Sequence, residues 1–263
     1  MNKGKSGQYS VVGRSSAAVM RAVLTALLAM TLPVVSHASE DPLVGMNRAV
    51  HGFNKALDTA VLKPAAQTYA SVTPTFLRQR VSSFFYNIDD VRVTINDLLQ
   101  FKFSQAAADA GRLALNTTVG LGGMFDVANP MFGWEKHHED FGQTLGYWAV
   151  NSGPYVELPF LGPSTARDSA GQVVDVLLNP LQLFYSPGQH SAFTAGEGVH
   201  DRAALLNFEG LITGDEYVFL REAYLQRREF LVKDGEVEDA FGDFDADFDE
   251  LAFDMPIASA GDK

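Results

Sequence analysis

The residues best equipped to hold a metal or move a proton are HHED, residues 137–140. Two histidines and two carboxylates in four positions are donors that a divalent cation accepts. Adjacent side chains diverge on any regular element, and no second histidine pair completes a tetrahedral set nearby. A hydrolase reading would use His137 and His138, either as metal ligands or in lipid hydrolysis. Nucleophile signatures are missing: there is no G-x-S-x-G elbow and no cysteine anywhere in the chain. Gly120-Leu121-Gly122-Gly123 has neither P-loop nor dinucleotide-fingerprint spacing, and no strand precedes it. The residues support no enzyme, no cofactor and no metal.

A second stretch is better suited to binding than to reaction. LNTTVGLGGMFDVA (residues 115–128) lies in a run, Leu113 to Phe125, that carries no charge. It mixes apolar residues with Asn116, Thr117 and Thr118, then Gly120, Gly122 and Gly123, and Arg112 and Asp126 flank the run. Each glycine costs about 1 kcal/mol against alanine in a helix interior. A membrane span would need roughly 20 mostly apolar residues without such breaks. A tight turn between packed helices is one reading, and a surface facing an uncharged ligand is another.

The elements that must position these residues are helical. Asp41-Pro42 reads as a helix start, followed by Leu43, Met46, Val50, Phe53 and Leu57 at 3, 4, 3, 4 spacing. A second stripe runs through Leu77, Val81, Phe84 or Phe85, Ile88, Val91, Ile95 and Leu98. Ser104 is positioned to cap a helix that ends at the glycine cluster. From Trp134 to Asp168 the density of Gly and Pro predicts loop and short helix, with no period-2 strand. Ser164 then caps a helix, residues 191–206 form another, and Thr213-x-x-Glu216 opens a long one that Gly235 ends. The amphipathic faces either pack on one another or lie in one leaflet of a membrane.

Composition bounds the rest. The first 38 residues read as a secretory leader: basic residues, the apolar run AVLTALLAMTLPVV, and Ser36-His37-Ala38 before a cut between Ala38 and Ser39. Of the net charge of −12, ten acids fall between Asp234 and Asp254, where there is no Lys or Arg. Such a surface repels nucleic acid, which is excluded as a partner. Residues 236–263 have the composition of a disordered tail, yet Phe241, Phe244, Phe248 and Leu251 keep 3, 4, 3 spacing among the acids. That pattern suits docking on a partner protein as well as mere solubility.

Several ordered motifs between Asp41 and Gly235 resemble the MlaA (VacJ) family. They are DPLVGMNRAVHGFNKALD, KPAAQTY, NDLLQ, GRLALNTTVGLGGMFDVA, DFGQTLGYWAVNSGPYVELPFLGPSTARD and REAYLQRREFL. The resemblance implies an all-α fold: a ring-like arrangement of amphipathic helices around a central channel in residues 39–235. It implies residence in the periplasmic leaflet of the outer membrane, beside a porin trimer. Phospholipids that stray into the outer leaflet would pass through the channel to a soluble carrier of the MlaC type, preserving lipid asymmetry. Two readings compete with the conduit: a scaffold that braces the porin, and the hydrolase above. The first-motif residues map onto Asn47, Arg48, Phe53 and Asn54; Phe53-Asn54 would steady the channel, with Asn54 bracing a neighbouring helix. On this reading Asn116, Thr117 and Thr118 offer hydrogen bonds to a lipid without burying charge, and the glycines permit close approach. Many family members carry an acylated cysteine, and this chain has none. The acidic tail lies beyond the matched motifs and would dock the carrier.

Overall fold

A chain with many amphipathic stripes and few strand signals folds into helices, and the computed structural model describes this for residues 41–181 and 186–236. The predicted leader with its cut at Ala38–Ser39, and the tail residues Phe241, Phe244, Phe248 and Leu251, lie outside the described residues. Helix α1 spans Val44–Leu57 and passes through a π-turn at Asp58–Leu62 into α2, Lys63–Val72. Pro74 breaks the chain before α3, Thr75–Leu99, and α4 follows at Phe103–Thr118. Short helices α5 (Ala128–Phe132) and α6 (Phe141–Tyr147) come next, then α7 (Ala166–Leu178), α8 (Pro187–Ala204), a 3-10 turn (Leu205–Leu211) and α9 (Glu216–Val232). Helices α3 and α4 form the main antiparallel seam, α6 packs on α7, and α8 packs on α2. Among the described residues no helix is long and apolar enough to cross a membrane.

The stretch read as loop contains a two-stranded antiparallel hairpin, β1 Tyr155–Leu158 and β2 Gly162–Thr165, with Tyr155 opposite Thr165 and Leu158 opposite Gly162. Four-residue strands that contain Pro163 and bury Glu157 show no alternation of apolar and polar residues. Several helix starts also differ from expectation. Asp41 does not cap α1 directly; its carboxylate accepts from Leu43 N–H at 2.9 Å, and α1 starts at Val44. α4 opens at Phe103, so Ser104 lies inside its first turn. Thr165, not Ser164, caps α7, and Asp215, not Thr213, caps α9. Ser164 is buried in β2, where its neighbour holds the extended backbone a cap requires.

Burial runs opposite to the usual order. The largest wholly buried side chains among the described residues are Arg112, Val93, Asn47, Asn96, Thr165, Asp90, Asp97, Asp109 and Ser164, of which Val93 alone is apolar. The buried positions of α4 are Ala106, Asp109, Arg112 and Asn116, a helical stripe of mostly polar groups. The same holds in α3, where Arg78, Asn87, Asp90, Asn96 and Asp97 point inward while Leu77 and Leu98 are exposed. The periodicity of the stripes was legible, but the apolar faces turn outward.

Candidate functional site

Two asparagines of α1, one heptad apart, fasten the hairpin. Asn47 is fully buried; its amide donates to Asp41 and, at 3.0 Å, to Tyr155 O, while its oxygen accepts from Glu157 N–H at 2.9 Å. Asn54 donates to Leu158 O at 2.9 Å and accepts from Phe160 N–H at 2.8 Å. Its expected helix partner is therefore replaced by the hairpin tip. Phe53 is exposed and meets Phe160 edge to face at 5.3 Å. Phe160 holds a φ of +67°, and it and Leu161 form an exposed apolar tip. Arg48 lies on the outer side, paired with Asp215 at 2.9 Å.

The uncharged stretch forms the last turns of α4, through Thr118, and the turn that follows. Asn116 is buried: its oxygen accepts from Val127 and Ala128 N–H at 2.8 and 3.1 Å, and its amide donates to Asp126 at 3.0 Å. A Cβ on Gly120 would lie 2.2 Å from Phe125 O, and one on Gly123, at φ +88°, 2.4 Å from Asn87 Cβ. Those two glycines are required by close backbone packing, whereas Gly122 faces open space at φ +73°. Thr117 accepts from Asn87 Nδ2 at 2.9 Å, and Thr118 is exposed and donates to Ala114 O at 2.7 Å. The turn thus carries Val119, Leu121 and Met124 outward while its polar atoms are tied inside.

Behind that turn lies a charged interior that apolar periodicity does not reveal. Arg112 reaches Asp126 at 3.1 Å and Asp90 at 3.7 Å, and it donates to Trp134 O. Lys136 donates to Asp90 at 2.8 Å and to Asp89 at 3.1 Å. Asn96 accepts from Thr144 at 2.8 Å and donates to Asp175, whose pKa burial and the Asp140 charge push up to about 6 against Arg92. Asp140 caps α6, and although burial opposes ionisation, Arg228 holds it down at about 2. Arg228 also pairs with Asp168, joining α9 to α7. Where α3 meets α4, neither Asp97 oxygen has a donor; burial, then a hydrogen bond with Asp109 and its charge, push the Asp97 pKa up to about 8. A repeated spacing of Asn, Asp and Arg along α3 was the available signal for this interior.

The histidines of HHED face different neighbours. His137 Nδ1 lies 2.9 Å from Asp109, and the His138 ring packs edge to face on Tyr86. Among the described residues no group of three or more His, Asp or Glu is arranged to hold a metal ion. A further buried histidine, His200, lies between Ser82 (2.8 Å) and Tyr69 (3.0 Å), and burial and the Arg78 charge lower its pKa to about 4.

What this arrangement can do physically is present an apolar exterior around a polar interior. Soluble folds rarely expose apolar surface on this scale, and such patches mark membrane or partner contact. Comparison with known proteins agrees. The family model described as MlaA lipoprotein matches residues 39–231. An "Intermembrane phospholipid transport system lipoprotein MlaA" of Shigella flexneri is 38% identical over 204 residues, 75% of this chain and 80% of the relative. The protein of that name in Escherichia coli K12 is 37% identical over the same length, with the same coverage. A solved chain from work on the "structural basis for maintenance of bacterial outer membrane lipid asymmetry" superposes with a TM-score of 0.67 at 34% identity, covering 73% of this chain and 99% of that one.

Proposed function

This chain belongs to the MlaA lipoprotein family, and we propose that it transports phospholipid between membranes. It removes mislocalised phospholipid from the outer leaflet of the outer membrane and hands it to a periplasmic carrier of the MlaC type. The observation that carries this reading is the inverted burial: Arg112, Asp90, Asp97 and Asp109 inside, with Phe76, Leu121, Val176 and Leu211 outside. In lipid the outward faces need no protein cover, and polar backbone or side chains at that depth must face one another or a wet path. The helices form a ring around a central channel, embedded in the periplasmic leaflet beside a porin trimer. Phospholipid headgroups follow the half-buried charges Asp89, Arg92 and Glu197, and acyl chains follow the apolar rim.

Within this reading Asn47 and Asn54 act by fixing the hairpin, Phe53 by bracing its tip, and Asn116 with the three glycines by holding the turn in shape. Thr117 and Thr118 are exposed at the end of α4, where a headgroup would compete with their hydrogen bonds to Asn87 and Ala114. With no cysteine for acylation, residence in the membrane rests on the apolar faces and the porin. The process needs no covalent step. The test is outer-leaflet phospholipid content in a deletion strain, with and without the gene restored. A rise on deletion that restoration reverses supports transport; an unchanged content with the protein still exported would overturn it.

A further inference from the structure

The link between α3 and α4 closes an apolar corner that no described residue covers. Phe101 and Phe103 are 56% and 62% exposed, and Trp148 is 56% exposed beside Leu98, Leu99 and Tyr147. The rings touch in series: Phe101 lies 6.1 Å from Phe103 and 5.5 Å from Trp148, which lies 5.8 Å from Tyr147. Trp148 Nε1 donates to Leu99 O at 3.1 Å and pins the group to the end of α3. Phe101 holds a φ of +61°, a region a bulky residue avoids, so the backbone is strained to turn this ring outward.

Between the two phenylalanines, Lys102 bonds Glu139 at 2.8 Å and also Asp234. Asp234 is followed by Gly235, whose φ of +82° turns the chain off α9. The described chain ends at Glu236, so the segment that follows starts beside this corner. Phe241 lies seven positions beyond Asp234, a reach of up to about 24 Å when extended. That segment brings Phe241, Phe244, Phe248 and Leu251 at 3, 4, 3 spacing, with no Lys or Arg before Lys263.

We propose that residues 237–254 dock in cis on this corner. Phe241, Phe244, Phe248 and Leu251 supply the apolar contacts to Leu99, Phe101, Phe103 and Trp148, and the acids between them stay in water. Anchor, reach and apolar spacing all belong to one chain, and tethering over so short a linker supplies an effective concentration of about millimolar, which a separate partner must exceed. The acids also repel anionic headgroups, so this corner is set apart from the faces that meet lipid.

The cysteine-free sequence makes the test clean. In the full chain in lipid nanodiscs, a Phe103→Cys/Phe244→Cys pair is compared with a Leu121→Cys/Phe244→Cys pair, whose first positions lie at the start of α4 and three residues beyond its end. Docking in cis predicts an intramolecular disulfide that forms many-fold faster in the first pair. It also predicts that deleting residues 237–263 raises acrylamide quenching of Trp148 several-fold in a Trp134→Phe background. Equal or absent cross-linking, a disulfide between two molecules, one that forms only when the carrier is added, or unchanged quenching on deletion would each overturn the proposal.

Discussion

The seam between α3 and α4 and the outer flanks of the same helices show opposite chemistry along one run of residues. In the seam, Asp90, Asp97 and Asp109 are wholly buried and Arg112 is 2% exposed. On the flanks, Phe76 and Leu77 of α3 and Val119 and Leu121 just beyond α4 lie open. In water this is the wrong way round, because unpaired buried charge costs several kcal/mol while exposed apolar surface forfeits roughly 25 cal/mol per Å². The difference teaches that the fold is held by directional polar contacts inside, and that its apolar surface is suited to a solvent other than water.

The comparison breaks most sharply at Arg112. Arg112→Ala leaves Asp90 and Asp126 without their guanidinium, and the expected loss is about 3–5 kcal/mol in urea unfolding. A loss under 1 kcal/mol would mean that the interior is wetter than its burial implies. On the flank the expectation is reversed. Leu121→Asp or Val176→Asp should leave unfolding within about 0.5 kcal/mol in detergent, since both side chains are exposed. Partition into phospholipid vesicles should weaken by up to about 3 kcal/mol for the same substitutions. Unchanged vesicle binding would remove these faces from the lipid-contacting set.

Smaller effects sharpen the boundary between the two regions. Asn54→Ala removes two hydrogen bonds to the hairpin tip, a loss of about 1–2 kcal/mol, read as faster amide exchange at Phe160. Asp97 gives the smallest and most diagnostic effect. Its folded pKa of about 8 exceeds its ordinary 3.8, so the folded chain binds the extra proton and stability falls as pH rises between those values. His200, lowered to about 4, contributes the opposite slope, with stability lost as pH falls from 6.5. Above pH 7 the Asp97 contribution is joined by a smaller one of the same sign from Glu197, whose pKa burial and the Asp201 charge push up to about 7. Asp97→Asn should flatten a decline on the order of 1 kcal/mol between pH 7 and 8, because an amide donates to Asp109 without a proton to lose.

The helices themselves were legible: α1 and α3 fall where their periodic residues predict, and α9 lies between the start signal at Thr213–Glu216 and Gly235. Which face points inward was not, because 3.6 periodicity is the same for a core stripe and a lipid stripe. The polar stripe of α3 carries that information, since Asn87, Asp90 and Asp97 recur as regularly as the leucines. The hairpin stayed hidden because strand β1 buries Glu157 under the Tyr155 hydroxyl, which donates to it, and so lacks alternation. The family motifs led to Asn47, Phe53 and Asn54, but their roles depend on Tyr155, Leu158 and Phe160, about a hundred residues away. Caps misplaced by one or two residues, at Thr165 and Asp215, reflect local backbone geometry that composition does not encode.

The central claim, that the apolar flanks meet lipid while the charged seam stays sealed, is tested most directly by nitroxide accessibility. The cysteine-free chain allows one label at a time at Phe76, Leu121 or Val176, with Arg48 as the water-facing control, in phospholipid vesicles. The account predicts that the first three collide readily with oxygen and scarcely with a water-soluble nickel chelate, and that Arg48 shows the reverse. Ready collision of the nickel chelate at Phe76, Leu121 and Val176 would contradict it.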